Sequence, residues 1–180
     1  MNYRVDSYLL ALPEEQDLEM LYEQKNDPEV ARLLGGFSFG YTRAGLNEWL
    51  QQHSGRKDEV LFAIRDYEKN RCIGHLGLYR IDYRTRSCEY GIMIGDKDYW
   101  GIGAGRAVTA FALRYAFDEL NMNRVELSLL ATNERAKALY LAHGFRQEGV
   151  LRQACFKDGD YVDVLVMSLL RREYGGRNDQ

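Results

Sequence analysis

Three glycines at alternate positions, Gly101, Gly103 and Gly105, lie between an extended apolar run, Glu89 to Ile94, and a long helical pattern, Val108 to Leu120. No other feature limits the folds open to this chain so strongly. Glycine lets the backbone approach a ligand with no Cβ in the way. The first turn of the following helix then presents unpaired N–H groups at the positive end of its dipole. The stretch Gly95-Asp-Lys-Asp-Tyr-Trp-Gly-Ile-Gly-Ala-Gly-Arg106 therefore reads as a phosphate cradle, with Arg106 as a cation at its edge. A tight turn before a helix is the plainer reading of the same glycines.

Other phosphate-binding loops space their glycines differently. The chain has no Gly-x-x-x-x-Gly-Lys-Ser/Thr, which argues against a P-loop nucleotidase. A dinucleotide fold is the closer rival, since Glu126 follows the glycines by roughly 20 residues, where such folds keep a ribose-binding acid. That reading fails because Arg106 and Val108 stand where the third glycine would be, and Gly95 to Trp100 separate the strand from the turn. Glu126 reads better as an outward position of a strand from Arg124 to Leu130.

The remaining elements follow from periodicity and turn residues. Strands are expected over Tyr8 to Leu12, Val60 to Arg65, Arg71 to Ile81 and Arg86 to Ile94. The polar turns Asp66 to Asn70 and Asp82 to Thr85 are short enough to require antiparallel neighbours. Helices are expected over Pro13 to Gln24, from Pro28 onward, and from a Thr42 cap to about Gln52. Between the last two lies the glycine-rich, aromatic segment Gly35-Gly-Phe-Ser-Phe-Gly-Tyr41. The helix after the glycine turn is apolar over most of its circumference, so it should be buried on a sheet face. With the next strand, Val125 to Leu130, it should complete a right-handed parallel crossover. Asn133 can cap a helix from Glu134 to His143 that Gly144 ends. Phe145 to Phe156 and Tyr161 to Leu169 form a closing hairpin.

At 180 residues, residues 1–170 fit one domain with a single core, and residues 171–180 read as a frayed tail. A hydrophobic content of 46%, 28% charged residues and a net charge of -3 are ordinary globular values and leave no basic footprint for nucleic acid. No stretch approaches the ~18 apolar residues of a membrane span, so a soluble, cytoplasmic protein with no membrane partner is expected. Cys72, Cys88 and Cys155 are far apart and no histidines are paired, so neither a disulfide framework nor a metal site is signalled. His75, inside the apolar run Ile73 to Leu78, reads as a packed strand residue.

Taken in order, Trp100-Gly-Ile-Gly-Ala-Gly, the strand to Leu130, Asn133-Glu-Arg-Ala, Leu139-Tyr140 and Gly144-Phe145 resemble the GNAT superfamily of acetyl-CoA-dependent N-acetyltransferases. The resemblance runs from about Tyr8 to Leu170. The family's pyrophosphate loop is usually Gln/Arg-x-x-Gly-x-Gly/Ala. Gly103 and Gly105 match it, and Trp100 replaces the Gln/Arg, as in the branch of ribosomal-protein-alanine and spermidine acetyltransferases that this chain looks most like. The resemblance implies a mixed, mostly antiparallel sheet of six to seven strands with helices on both faces. It also implies acetyl-CoA as acyl donor, no metal, and a primary amine as acceptor, on a small molecule or a protein N-terminus. Polyamines and amino sugars, including sugar nucleotides, are among the candidates. Assembly into a homo-oligomer stays open, as does a non-catalytic acyl-CoA-binding sensor.

Site residues carry over position by position. Gly101, Ile102, Gly103, Ala104, Gly105 and Arg106 would hold the pyrophosphate. The backbone of Ile92, Met93 and Ile94 would pair with the pantetheine arm like an added strand, and Asn133 would touch the same arm. An alkyl ammonium at a pKa near ~10.4 must lose a proton before attack, and a departing thiolate with a pKa near ~8.5 is helped by a proton donor. Tyr140, which fits the family's Asn-x-x-Ala-x-x-x-Tyr, is the implied acid, although spacing alone makes it a core aromatic. Glu89 is the implied base or else a charged strand edge. Phe37, Phe39, Tyr41 and Trp49 would form the acceptor wall, with a mobile surface loop as the plainer reading. Asp158, Asp160 and Asp163 suit either a cationic acceptor or ordinary turns.

Overall fold

The computed structural model describes residues 2–36 and 40–175. The chain order is strand β1 (Asn2–Val5), β2 (Tyr8–Ala11), helices α1 (Leu18–Lys25), α2 (Pro28–Leu33) and α3 (Arg43–His53), then β3 (Val60–Asp66), β4 (Arg71–Asp82) and β5 (Ser87–Ile94). There follow α4 (Ala104–Arg114), β6 (Arg124–Leu130), α5 (Glu134–Ala142), β7 (Arg146–Lys157), β8 (Asp160–Leu170) and α6 (Arg171–Gly175). The strands form one eight-stranded sheet in the order β1-β2-β3-β4-β5-β6-β8-β7. Only β5 and β6 run parallel. The mixed, mostly antiparallel sheet is as expected, with eight strands instead of six or seven. β1 adds one, and it pairs through Asn2 to Val5 with Ala11 to Tyr8.

Local chemistry accounts for the turns. Asp66 Oδ1 accepts from the backbone N–H groups of Glu68 and Lys69, and Asp82 Oδ1 does the same for Arg84 and Thr85. Each carboxylate thereby closes its own hairpin. Asp27 caps α2 ahead of Pro28, and Thr42 caps α3 at 3.0 Å from the Gly45 nitrogen. α1 is tied to β3 by a bidentate pair, Arg65 Nε and Nη2 donating to the two Asp17 carboxylate oxygens at 2.7 Å each. The expected helix to Leu120 is α-helical to Arg114 and then widens into a single π turn, Tyr115–Glu119.

Two cores lie on opposite faces of the sheet. On one face, Val108, Phe111 and Leu113 of α4 pack on Phe62, Ile64, Leu76 and Tyr90. On the other, Leu21, Val30 and Leu46 from α1, α2 and α3 pack on Ala63, Cys72 and Met93. Residues 171–175, expected to begin a frayed tail, form α6 instead. Tyr174 stacks on Phe117 at 4.8 Å, and the Arg171 guanidinium donates to the Phe117 carbonyl. Residues 176–180 lie outside the described residues.

Candidate active site

The site begins where the parallel pair comes apart. β5 and β6 are in register at three positions only, Ser87 with Arg124, Cys88 with Val125 and Glu89 with Glu126. Beyond them β5 stays paired with β4 as far as Ile94, while Leu127 to Leu130 of β6 pair with Met167 to Val164 of β8. From Tyr90 to Ile94 the far edge of β5 therefore carries no strand, and a cleft about 13 Å long opens between the two strands. Ile92, Met93 and Ile94 lie on that vacant edge. An extended, amide-bearing ligand can pair there as a missing strand would.

The glycine turn stands at the open end of this cleft. Gly101 and Gly103 have φ of +78° and +98°, which glycine alone adopts without strain, and a Cβ at either would meet only open space. Gly103 is the N-cap of α4, and its carbonyl already accepts from the Ala107 nitrogen at 3.0 Å. The N–H groups of Ala104, Gly105 and Arg106 precede that first helical bond and remain for an anion. Arg106 and Ile102 are exposed at the rim. Gly105 has a different use, since a Cβ there would sit 3.3 Å from Leu139 Cδ2, so it lets α5 approach α4. His143 reinforces that contact, with Nε2 3.1 Å from the Arg106 carbonyl. Trp100 Nε1 donates to the Ile94 carbonyl at 2.7 Å, and the Arg135 guanidinium lies 5.0 Å from the Trp100 ring.

At the closed end lie Tyr140 and Glu89. The Tyr140 ring meets that of Tyr90, the first β5 residue beyond the paired region, edge to face at 6.2 Å, and that of Phe145 at 5.7 Å. It is 6% exposed, and its hydroxyl has no hydrogen-bond partner among the described residues. Burial pushes the Tyr140 phenol up to about 12, so it stays protonated across the neutral range. Glu89 carries an Arg80 guanidinium at 2.7 Å. Arg80 also lies 3.8 Å from Glu126, the residue in register with Glu89. Asn133 uses both ends of its amide, accepting from the Ala136 nitrogen as a cap and donating to the Leu33 carbonyl at 3.1 Å, which fixes the end of α2 beside α5.

The opposite sheet face adds Lys25, His53, Glu59, Gly77 and Tyr79, which sequence reasoning passed over, to residues it had named. His75, Gly77 and Tyr79 of β4 stand beside Met93, Gly91 and Glu89 of β5. The Tyr79 ring lies flat over Gly77, where a Cβ would fall 2.2 Å from it. Trp49 meets His75 at 5.3 Å and His53 at 4.9 Å, and His53 Nδ1 is 2.6 Å from a Glu59 oxygen. Lys25 Nζ stands 4.4 Å from the Trp49 ring and 5.2 Å from that of Tyr41. Burial is the first cause holding the His75 imidazole well below its usual range, followed by Lys25 and His53. Burial alone lowers Lys25 to about 8. The period-two spacing His75, Gly77, Tyr79 and the helical spacing Trp49, His53 were the available signals. Tyr41 is held at the surface by Asn26, and Phe37 and Phe39 lie outside the described residues. Asp163 is engaged by the Gln153 nitrogen and Asp158 by Arg32 at 3.8 Å.

The vacant edge, uncapped helix start and open glycines suit CoA on geometric grounds. Among the described residues no cluster of His, Cys, Asp or Glu is placed to hold a metal, and no helix is long and apolar enough to cross a membrane. The chain is 34% identical over 134 residues to a spermidine N(1)-acetyltransferase of Vibrio cholerae, covering 74% of this chain and 76% of that one. It is also 34% identical over 110 residues to a putative ribosomal N-acetyltransferase of Bacillus subtilis, covering 61% and 59%. A crystal structure of the Vibrio cholerae spermidine N-acetyltransferase in complex with CoA and spermine superposes with a TM-score of 0.86 at 28% identity, over 93% of this chain and 98% of that one. Since the acetyltransferase (GNAT) domain family also matches residues 8–146, this chain belongs to the GNAT acetyltransferases and is an acetyl-CoA-dependent N-acetyltransferase.

Proposed function

We propose that the chain acetylates a primary amine at the point where β5 and β6 part, with Tyr140 as proton donor and Glu89 in the path of the amine's proton. The observation that carries this reading is the contact of the buried Tyr140 ring with Tyr90, the first residue on the vacant edge. Bound acetyl-CoA supplies the activated acyl group and a thiolate leaving group. Gly101 to Arg106 hold the pyrophosphate through backbone N–H groups and one guanidinium, and Ile92 to Ile94 align the arm. Asn133 borders that arm while capping α5.

A phenol near 12 is a weaker acid than a thiol near ~8.5, so outright transfer to sulfur would run uphill by roughly 5 kcal/mol. The Tyr140 hydroxyl therefore acts mainly as a hydrogen-bond donor to the leaving sulfur, and positioning supplies most of the rate. Glu89 stays paired with Arg80 and takes the amine proton directly or through water. Tyr41 and Trp49 border the acceptor, and Phe37 and Phe39 belong to the same wall by sequence. The test is release of free CoA from acetyl-CoA over a panel of primary amines, peptide N-termini, polyamines and amino sugars. No amine-dependent release from any of them would refute the reading.

A further inference from the structure

The face of the sheet that receives the acceptor holds a half-buried cation, Lys25, for which no carboxylate stands within ion-pair distance among the described residues. Two of this face's carboxylates are already engaged. Glu59, its side chain 6% exposed, accepts from His53 at 2.6 Å and lies 3.5 Å from Arg56, and Glu89 is held by Arg80. Lys25 has no carboxylate within 4.0 Å among the described residues, and its ammonium rests on the Trp49 and Tyr41 rings. The ring faces that an incoming ammonium would use thus already carry one. Residues 37–39, Phe-Ser-Phe, add no charge to the balance.

A second observation lies beside the first. His75 is 8% exposed, and its Nδ1 is sealed from solvent with no partner among the described residues. A buried polar atom left unpaired costs stability. His75 is in register with Met93 on the vacant edge of β5, so Trp49, Lys25 and His75 form one layer above the strand next to the reacting position. A cation without a counter-ion and a polar nitrogen without a partner are what an anionic, hydrogen-bonding group would complete. A polyamine would bring its remaining ammonium groups against Lys25.

Resting on the acetyltransferase reading above, we propose that Lys25 makes this enzyme select an amine that bears an anionic group, a carboxylate or a phosphate, and discriminate against polyamines. The spermidine acetyltransferases share the fold, but polyamine specificity does not transfer with it. Specificity is a difference between affinities, and an unpaired cation in the acceptor layer is a repulsive element against polycations.

The experiment compares kcat/KM for four acceptors: 5-aminopentanoate, its uncharged amide, 3-aminopropyl phosphate and spermidine. The first two differ in charge at the same chain length. The expected result is at least a tenfold preference for an anionic acceptor over the amide, with spermidine below both. The carboxylate and phosphate arms identify which anion is bound. Lys25→Met should erase that preference and raise spermidine, and Lys25→Arg should retain it. A melt of each variant with and without CoA separates misfolding from altered selection. Spermidine as the preferred wild-type acceptor, or a preference unmoved by Lys25→Met in a folded, CoA-binding variant, overturns the proposal while leaving amine acetylation intact. Absence of turnover with every amine instead removes the reading on which it rests.

Discussion

The two faces of the sheet are built from different chemistry. Against α4 the contacts are nearly all apolar, and Phe62, Phe111 and Tyr115 join Tyr3 in one aromatic group, mostly edge to face with Phe111 stacked on Tyr115, with centroids between 5.1 and 5.9 Å. Against α1 to α3 the interior includes Asp17, Arg65, Gln24 and His75 beside Leu21 and Leu46, with Lys25 half-buried at its edge. Buried polar groups cost stability unless partnered, and on this face the Arg65–Asp17 pair is satisfied while the His75 Nδ1 and the Gln24 Oε1 are not. The α4 face thus supplies stability and a fixed platform for the cofactor turn. The other face gives up some stability and keeps polar groups available to a ligand. Truncation should separate the two. Phe62→Ala should destabilise the fold by about 3–5 kcal/mol with little change in turnover per folded molecule. The half-buried Trp49→Ala should cost less stability and raise the acceptor KM above that of acetyl-CoA. Urea midpoints with paired KM values decide it, and equal acceptor effects from both substitutions would break the division.

The cofactor end gives the next effect. CoA at about 100 times its dissociation constant should stabilise the protein by ~2.7 kcal/mol. Gly103→Asp should remove that gain, because it forces a side chain to φ +98° and sets a carboxylate among the N–H groups of Ala104 to Arg106. A melt still shifted by CoA in this variant would move the pyrophosphate site elsewhere. Tyr140→Phe should keep both the ring contacts and the CoA shift while turnover at saturating substrates falls by on the order of 10²-fold. Wild-type turnover would take the hydroxyl out of the chemistry. Weakened CoA affinity with unchanged turnover would make it an anchor for the arm.

The same division governs how much could be read from sequence. The α4 face was legible because its signals are local: the glycine turn, the apolar helix behind it, and Asn133 and Gly144 bounding α5. Gly103 stood out from the glycine spacing and Asn133 as a helix cap, whereas Tyr140 was singled out only by the family resemblance. The proposed acceptor face depends on residues far apart in the chain, Lys25, Trp49, His75 and Glu89, that meet only when three helices fold over β4 and β5. His75 within an apolar strand carries no local mark that its Nδ1 lacks a partner. Lys25 ends an amphipathic helix, where a lysine is ordinary. β1 was missed because four residues with a half-exposed pattern give too little periodicity. The π turn after Arg114 arises from tertiary packing of a segment whose pattern is simply helical.

The smallest expected effect concerns what holds the cleft open, the base from which β5 and β6 diverge. A chain of charges crosses it. Glu148 of β7 receives Arg124 at 2.5 and 2.7 Å and Ser168 of β8 at 2.7 Å, Arg124 reaches Glu126, and Arg80 joins Glu126 to Glu89. Arg124 is also in register with Ser87, the first of the three β5–β6 pairs, and with Leu170 of β8, so the chain of charges sits at the paired base below the point where β5 and β6 part. Arg124, and after it Ser168, lower the Glu148 carboxyl to about 2. A carboxylate depressed in the fold contributes stability that is fully present above its unfolded pKa near ~4.3 and is lost as pH falls toward the folded value. Since the Glu148 side chain is 43% exposed, solvent screening limits that contribution to about 1 kcal/mol. Glu148→Gln should therefore lower stability by about that much at pH 7, and the gap to wild type should narrow between pH 4.5 and 3. High salt should shrink it at pH 7 as well. Urea midpoints of both proteins across that range decide the matter. A gap that stays constant with pH and salt would mean that hydrogen-bond geometry and packing, rather than charge, set the angle at which the two strands part.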